Sequence, residues 1–230
     1  LLKAEQLLPQ SYPGIVAIGA RPSKGAAKAF LARLYMHWAG YPIKDSSKYA
    51  MATAKAGEVI NGSFGYGLAG TLKEMWTTAG QFGHSEAIFT MIATRPNYGN
   101  RTVGRLGTPV EAGGWNETFG EIAFYEDMEA TATAEGTLAR FNDTYVSEQI
   151  TRGSRPLGSD WRTWADPHPI LRKVAGSEGS IWNSNNADLN RYFMRYADVL
   201  LMYAEATGRS GGNSAGAWEA LNKVRRRAAG

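Results

Sequence analysis

The feature that most constrains the fold is the helical spacing of apolar residues near both ends of the chain. A long stretch without this spacing lies between them. In residues 23–61 and 191–229, apolar side chains recur every three or four positions, and a glycine-containing turn interrupts each segment near its middle. Helix, short turn and helix, with alanine and aromatic residues where helices cross, is typical of tetratricopeptide-like repeats. The sequence therefore predicts a mainly α fold containing two helical hairpins.

In the first hairpin, Ser23 is predicted to cap a helix that runs to Trp38. A second helix is predicted to end near Asn61, before a glycine. The apolar stripe of the first helix includes Leu34 and Trp38, so both side chains are predicted to lie in the core.

The second hairpin opens with strong helical periodicity over residues 191–207, which predicts one continuous helix. The helix after it carries Trp218 on its predicted buried stripe. Arg195 and Asp198 are three residues apart and are expected to pair on the helix surface, with Glu205 two turns beyond Asp198. We predict a structural role for these three charged residues, as anchors of neighbouring loops.

Residues 62–190, between the hairpins, are predicted to be rich in loops, as 27 glycines and 9 prolines in 230 residues indicate. One short strand is predicted within residues 85–92, where β-branched and aromatic residues lie between glycine and proline. The whole chain, 1–230, is predicted to form a single α-helical domain. Residues 1–8 resemble the last turns of a helix, and we therefore expect the chain to be a fragment of a longer protein.

Composition and charge exclude several classes of protein. The chain has no cysteine, so disulfides and thiolate metal sites are excluded. The net charge of +4 comes from one short basic run, residues 223–227, in the last helix. A nucleic-acid-binding protein usually spreads positive charge over a face, and nucleic-acid binding is therefore not expected. The sequence also contains no uninterrupted apolar run of the roughly 18 residues that a membrane-spanning helix needs.

Several segments resemble the SusD/RagB family. Residues 191–206, RYFMRYADVLLMYAEA, resemble the signature helix of that family, and residues 217–228 resemble its next helix. Residues 24–36 resemble the helix-rich centre of the family, and the segments 39–42 and 86–89 follow in the expected order. The resemblance extends from about residue 21 to residue 229.

The resemblance implies a mostly helical, SusD-like fold in which tetratricopeptide-like hairpins support a variable, loop-rich face. It implies a surface-exposed lipoprotein of the bacterial outer membrane that binds glycans and delivers them to a TonB-dependent, SusC-like transporter. A lipid anchor in an N-terminal region that precedes this chain would be the only attachment to the membrane. No cofactor is implied. The nature of the glycan stays open, and so does a peptide or glycoconjugate ligand.

Aromatic residues outside the helices are the candidate ligand contacts. Sugar rings present C–H groups that stack on the electron-rich faces of aromatic rings, and amide or guanidinium groups hydrogen-bond the hydroxyls. Similar proteins place part of the sugar platform after the segment 86–89, where two such clusters lie. The alternative is that these rings fill a small core beneath the loops. The candidate glycan-binding residues are Asn97, Tyr98, Arg101, Trp115, Asn116, Trp161 and Trp164.

Two other functions compete with glycan capture. A tetratricopeptide-type scaffold would bind peptides along a helical groove. A glycoside hydrolase would need two carboxylates facing each other across a cleft, and the cluster Glu121, Glu126, Asp127 and Glu129 could supply such a pair. Acids clustered in one predicted helix are more typical of a solvated face, and the three histidines lack metal-ligand spacing. We therefore expect neither an enzyme nor a metal site.

Overall fold

A computed structural model describes residues 1–14, 19–77, 84–93, 105–146, 150–152, 155–157, 160–175 and 189–230. The chain divides into two compact units. Unit 1 consists of Leu1–Ala69, Gly83–Met91 and Tyr192–Arg226, and unit 2 consists of Gly70–Phe82, Ile92–Arg191 and Arg227–Gly230. The prediction of a single domain stays a prediction.

The described residues form the mainly α structure that the periodicity predicts. The helices are α1 (Leu2–Leu7), α2 (Lys24–Ala39), α3 (Lys48–Ile60), α4 (Ile122–Glu135), α5 (Leu138–Thr144), α6 (Arg172–Ala175), α7 (Tyr196–Arg209) and α8 (Ala215–Ala229). The strands are β1 (Ala87–Met91), β2 (Ile150–Arg152), β3 (Arg155–Leu157) and β4 (Arg191–Arg195). Strand β1 pairs with β4, and β2 forms an antiparallel pair with β3. Within the described ranges, no helix has the length and apolar character needed to cross a membrane.

Unit 1 is held together by close packing of helices through small residues. Helix α3 packs against both α2 and α7, so the two sequence-distant hairpins share one core. Ala26, Ala29 and Ala32 of α2 lie three residues apart on one face and are buried with Ala56 of α3. Alanine at these positions allows the helix backbones to approach each other closely. As predicted, Ser23 caps α2 by accepting a hydrogen bond from the Ala26 N–H at 3.1 Å.

The predicted buried stripes of α2 and α8 are wrong at three positions. Leu34 and Trp38 of α2 and Trp218 of α8 are all exposed. The helices pack through their alanine faces, which turns these bulky side chains away from the core. Trp38 stacks beside Tyr35 with 6.5 Å between ring centroids, and the indole of Trp218 donates a hydrogen bond to Asn213.

The predicted helix over residues 191–207 begins later than its periodicity indicates. Residues 191–195 form strand β4, and α7 starts at Tyr196, whose backbone N–H donates to the Glu86 carbonyl at 2.9 Å. At this junction, the Asp198 carboxylate accepts a hydrogen bond from the Arg195 backbone N–H at 2.9 Å. Pairing with β1 therefore outweighs the helical tendency of residues 191–195, and the capping interaction defines the helix start.

A four-residue ion network joins α1 to the α2–α3 hairpin. Lys28 Nζ and Lys55 Nζ lie 2.6 Å and 2.7 Å from Glu5 Oε1, and both lysines also contact Glu58. Desolvation by burial raises the pKa of Glu5, but hydrogen bonds and charges from the two lysines outweigh it, so the net pKa is lowered. The pKa values of Lys28 and Lys55 are raised, because their two carboxylate partners outweigh desolvation.

We expect Glu5→Gln to destabilise the protein at neutral pH and to have less effect in acid. A carboxyl group with a lowered folded-state pKa stabilises the fold above its unfolded pKa, and this contribution is lost as the pH falls through the folded-state value. Urea unfolding of wild type and variant at pH 7 and at about pH 3 measures the difference. An identical difference in unfolding free energy at both pH values would contradict the role given to the ionised Glu5.

Unit 2 has an aromatic core of its own. Tyr125 of α4 lies at its centre, with ring centroids 4.9 Å from Phe141, 4.7 Å from Tyr145 and 5.4 Å from Trp161 in edge-to-face arrangements. Burial raises the pKa values of Tyr125 and Tyr145, because it disfavours the phenolate form. Gly120, which follows Phe119, packs directly on this core, since a Cβ atom there would lie 2.9 Å from the Tyr145 ring.

Candidate functional site

Exposed apolar side chains in unit 2 are concentrated in one stretch of the chain. Of the six exposed large apolar residues in the described part of this unit, only Leu138 lies outside residues 110–124. Scattered apolar residues are normal on a protein surface, but a local concentration marks a candidate interaction site. The five that define the stretch are Val110, Trp115, Phe119, Ile122 and Phe124.

Backbone hydrogen bonds fix the loop that carries Trp115. The Trp115 N–H donates to the Arg105 carbonyl at 2.8 Å, and the Asn116 N–H donates to the Thr108 carbonyl at 3.1 Å. Gly114, directly before Trp115, has to be glycine, since a Cβ atom there would lie 1.8 Å from the Thr108 carbonyl oxygen. Asn116 has a positive φ of 51°, which asparagine tolerates better than most residues. The loop therefore has a defined conformation although it lies on the surface.

Trp115 is 44% exposed, and a cation lies over its ring. The Arg105 guanidinium carbon is 5.2 Å from the ring centroid, a distance at which a cation is attracted to an aromatic face. The alternative that Trp115 fills a small core beneath the loop is therefore not supported. An exposed indole held from one side is suited to stacking on a flat ligand.

A second segment, residues 165–169, runs beside the Trp115 loop. The Ala165 N–H donates to Glu111 Oε1 at 2.9 Å, and Asn116 Nδ2 donates to Asp166 Oδ2. The His168 ring packs on Phe119 with 4.0 Å between centroids, and the Gly120 N–H donates to the Pro169 carbonyl at 2.6 Å. Successive residues of one segment thus contact successive parts of the other.

Asp166 connects two of these contacts. Its Oδ2 atom accepts the hydrogen bond from Asn116, while its Oδ1 atom lies 2.9 Å from His168 Nδ1. Neither Asp166 nor His168 was among the residues predicted from the sequence, and Arg105 and Phe119 were missed too. Their importance depends on contacts between segments about fifty residues apart, for which the sequence contains no local signal.

Two predicted ligand contacts, Trp161 and Trp164, lie in the core of unit 2. Their exposed fractions are 4% and 8%, and both belong to the aromatic cluster around Tyr125. Buried indoles cannot offer a ring face to a glycan, so the structure corrects this prediction to a packing role. Flanking Gly, Pro and Ser residues had indicated an exposed loop, whereas Trp161 lies in a short 3-10 turn that packs inward.

Three other predicted contacts, Asn97, Tyr98 and Arg101, lie outside the described residues. Trp115 and Asn116 are therefore the predicted contacts that the structure places on a surface, and their assignment as glycan contacts stays a prediction.

The acidic cluster forms the start and outer face of α4. Glu121 caps the helix by accepting hydrogen bonds from the N–H groups of Ala123 and Phe124 at 3.0 and 2.6 Å, which lower its pKa. Glu126 and Glu129 each lie 3.6 Å from the Arg162 guanidinium. These three acidic residues thus cap the helix or form ion pairs on its exposed face, as expected for a solvated helix surface. Within the described residues, no group of three or more His, Cys, Asp or Glu side chains is placed to hold a metal ion.

The charged residues of the signature helix take part in structural contacts. Arg195 Nη1 lies 3.5 Å from Oε1 of the fully buried Glu86, and Arg195 Nη2 lies 3.7 Å from Asp198. Glu205 pairs with Arg209 one turn away, at 2.7 Å, with both side chains more than half exposed. The predicted pairing of Arg195 with Asp198 is therefore present, while Glu205 makes a surface ion pair.

The family model for SusD proteins matches residues 86–229, more than half of the chain. The chain belongs to the SusD family. The match begins at Glu86 and includes the signature helix, so the resemblance seen in the sequence is confirmed. No curated protein matches this chain.

Solved structures show that the SusD-like fold predicted from the sequence is correct. A SusD superfamily protein from Parabacteroides distasonis is 25% identical, with a TM-score of 0.78 over 99% of this chain and 48% of that chain. A protein whose crystal structure was solved with xylogluco-oligosaccharide is 22% identical, with a TM-score of 0.70 over 97% of this chain and 46% of that chain. A laminarin-binding SusD-like protein is 23% identical, with a TM-score of 0.64 over 96% of this chain and 50% of that chain. The chain thus spans about half the length of the SusD-like structures that it matches.

Proposed function

We propose that this SusD family chain belongs to a cell-surface protein that captures glycans without chemical conversion. The observation that carries the proposal is Trp115, a half-exposed indole on a loop with a fixed backbone. Two solved relatives add support, since one is described with a xylogluco-oligosaccharide and another as laminarin-binding. The peptide-binding scaffold is less favoured, because the exposed apolar residues of unit 2 concentrate in a loop and helix start.

In the proposed complex, a sugar ring stacks on the face of Trp115 opposite Arg105. The guanidinium lies over one face of the half-exposed indole, and C–H groups of the sugar would meet the other electron-rich face. The Asn116 amide carbonyl accepts a hydrogen bond from a sugar hydroxyl beside the ring. Asn97, Tyr98 and Arg101 are proposed as further contacts. Such a shallow surface buries little area, which favours modest affinity and easy release.

We expect Trp115→Ala to weaken glycan binding about tenfold, through loss of the stacking contact, while the melting temperature stays unchanged. A glycan array that contains laminarin and xyloglucan oligosaccharides identifies the ligand of the wild-type chain. Isothermal titration calorimetry with that ligand then measures the change in affinity.

Trp218→Ala is the matched control, because Trp218 is also an exposed indole but lies on α8 in unit 1. It is expected to bind glycan like the wild type. Equal losses in both variants, or undiminished binding by Trp115→Ala, would exclude Trp115 as the ligand platform.

We further propose that the parent protein lies on the outer membrane and passes its ligand to a TonB-dependent, SusC-like transporter. This step rests on family membership. The test is purification of the tagged parent protein from detergent-solubilised outer membranes. Co-purification of a TonB-dependent transporter in a fixed ratio is expected, and recovery of the protein without one would contradict the partnership.

A further inference from the structure

We propose that Asp166 and His168 are positioning residues for the Trp115 platform, an inference that rests on the proposed glycan function. Neither residue is among the predicted ligand contacts. Both lie in the segment 165–169, about fifty residues from the loop that they contact. The Asp166 carboxylate bridges that loop and His168, so a single side chain holds two parts of the surface together.

The bridge acts at both ends of the Trp115–Phe119 stretch. At one end, Asp166 Oδ2 accepts a hydrogen bond from Asn116, the residue that directly follows Trp115. At the other end, Asp166 Oδ1 contacts His168 Nδ1 at 2.9 Å, and the His168 ring packs on Phe119. Trp115 and Phe119 are both exposed, so the two rings that a ligand meets are joined through one carboxylate.

Backbone geometry explains why the loop needs this support. Asn116 holds a positive φ of 51°, so the backbone directly after Trp115 adopts a conformation that residues other than glycine populate sparsely in free peptides. A charge-assisted hydrogen bond to the Asn116 side chain favours this conformation over its alternatives. A platform fixed before the ligand arrives loses less conformational entropy on binding. Asp166 thereby contributes to affinity even when the sugar contacts only the ring.

The test compares two replacements of Asp166 with a matched control in the full chain. Asp166→Ala removes the bridge, whereas Asp166→Asn keeps an oxygen that accepts from Asn116 and a side chain of the same size beside His168. Asp127→Ala removes an equal charge from the exposed face of α4 in the same unit. The probe is the oligosaccharide identified for the wild type, and amide hydrogen exchange of residues 113–120 is measured without ligand.

We expect Asp166→Ala to bind the oligosaccharide about fivefold more weakly than the wild type. The loss is smaller than for a buried charged hydrogen bond, because the Asp166 carboxylate is half exposed to water. Its loop amides should exchange faster, while Asp166→Asn should stay within about twofold of wild type and Asp127→Ala should be unchanged. Rescue by asparagine supports the bridge, because a role of the negative charge alone would not be rescued. Unchanged affinity and unchanged exchange in Asp166→Ala would overturn the proposal.

Two further outcomes are also decisive. If Asp166→Ala lowers the melting temperature strongly, Asn116→Gly removes the same hydrogen bond from the other side while keeping the positive φ accessible. Faster exchange of the loop amides in that variant supports the bridge, and wild-type exchange overturns it; affinity is not the readout here, because Asn116 is itself a proposed ligand contact. If the wild-type chain binds no glycan, the proposed function fails, and faster loop exchange in Asp166→Ala alone then decides whether the bridge orders the loop.

Discussion

Replacing Glu86 with alanine should lower the free energy of unfolding by about 1–3 kcal/mol, the usual cost of leaving a buried hydrogen-bonding group without its partner. The Glu86 side chain is fully buried, and its Oε2 atom accepts a hydrogen bond from the Ala69 N–H at 2.8 Å. Its Oε1 atom lies 3.5 Å from Arg195. The substitution leaves the amide without this acceptor and the guanidinium without this carboxylate, at the point where β1 meets the start of α7.

The matched control for Glu86 is Glu205→Ala. Both carboxylates pair with an arginine, but the Glu205–Arg209 pair is more than half exposed, and water replaces the lost contact. Urea unfolding should therefore show a large loss for Glu86→Ala, an intermediate loss for Glu86→Gln and almost none for Glu205→Ala. Equal losses at positions 86 and 205 would show that burial does not determine the effect.

Replacing Arg172 with methionine should destabilise unit 2 by about 2–4 kcal/mol, since one buried and one partly buried carbonyl group lose their donor at roughly 1–3 kcal/mol each. Arg172 is 1% exposed. Its Nε and Nη2 atoms donate to the Asn142 carbonyl at 3.1 and 2.9 Å, and Nη2 also donates to the Tyr145 carbonyl at 2.9 Å. Methionine keeps much of the aliphatic stem, so the experiment isolates the loss of these hydrogen bonds.

Arg140→Met on the neighbouring helix α5 is the control for Arg172, because Arg140 is exposed. Thermal unfolding followed by near-ultraviolet circular dichroism, which reports on the aromatic core of unit 2, measures both variants. We expect a clear drop in melting temperature for Arg172→Met and no change for Arg140→Met. Arg172→Lys should fall between them, because one ammonium lacks the planar fork that reaches two carbonyls. A loss below about 1 kcal/mol for Arg172→Met would mean that other donors satisfy these carbonyls.

The sequence predicted the helical hairpins because helices depend on neighbours three and four residues away. The cap of α2 by Ser23 and the pairing of Arg195 with Asp198 are contacts within one turn, and both are found in the structure. The strand β1 was equally local, since a short β-branched run lay between turn-forming residues. In each case the determining interactions lie within a few residues of each other.

Burial was predicted less well than helix formation. Trp38 and Trp218 were expected inside and are exposed, whereas Trp161 and Trp164 were expected at the surface and are buried. A helical stripe shows which residues share a face, but the partner element decides which face is covered. In α2 the covered face is the one with Ala26, Ala29 and Ala32, because small side chains allow the closest approach.

The sequence alone determined the family and the mainly α hairpin architecture of this protein, and it named Trp115 as one of seven candidate ligand contacts. Tertiary structure decided that residues 191–195 form a strand, because their partner β1 lies about a hundred residues earlier in the chain. It also decided which side chains support Trp115, since Asp166 and His168 reach the loop only after unit 2 has folded. A helix is stabilised by residues three or four positions apart, so the local sequence predicts it. Strand pairing and the support of a surface loop depend on distant chain segments, which come together only in the folded protein.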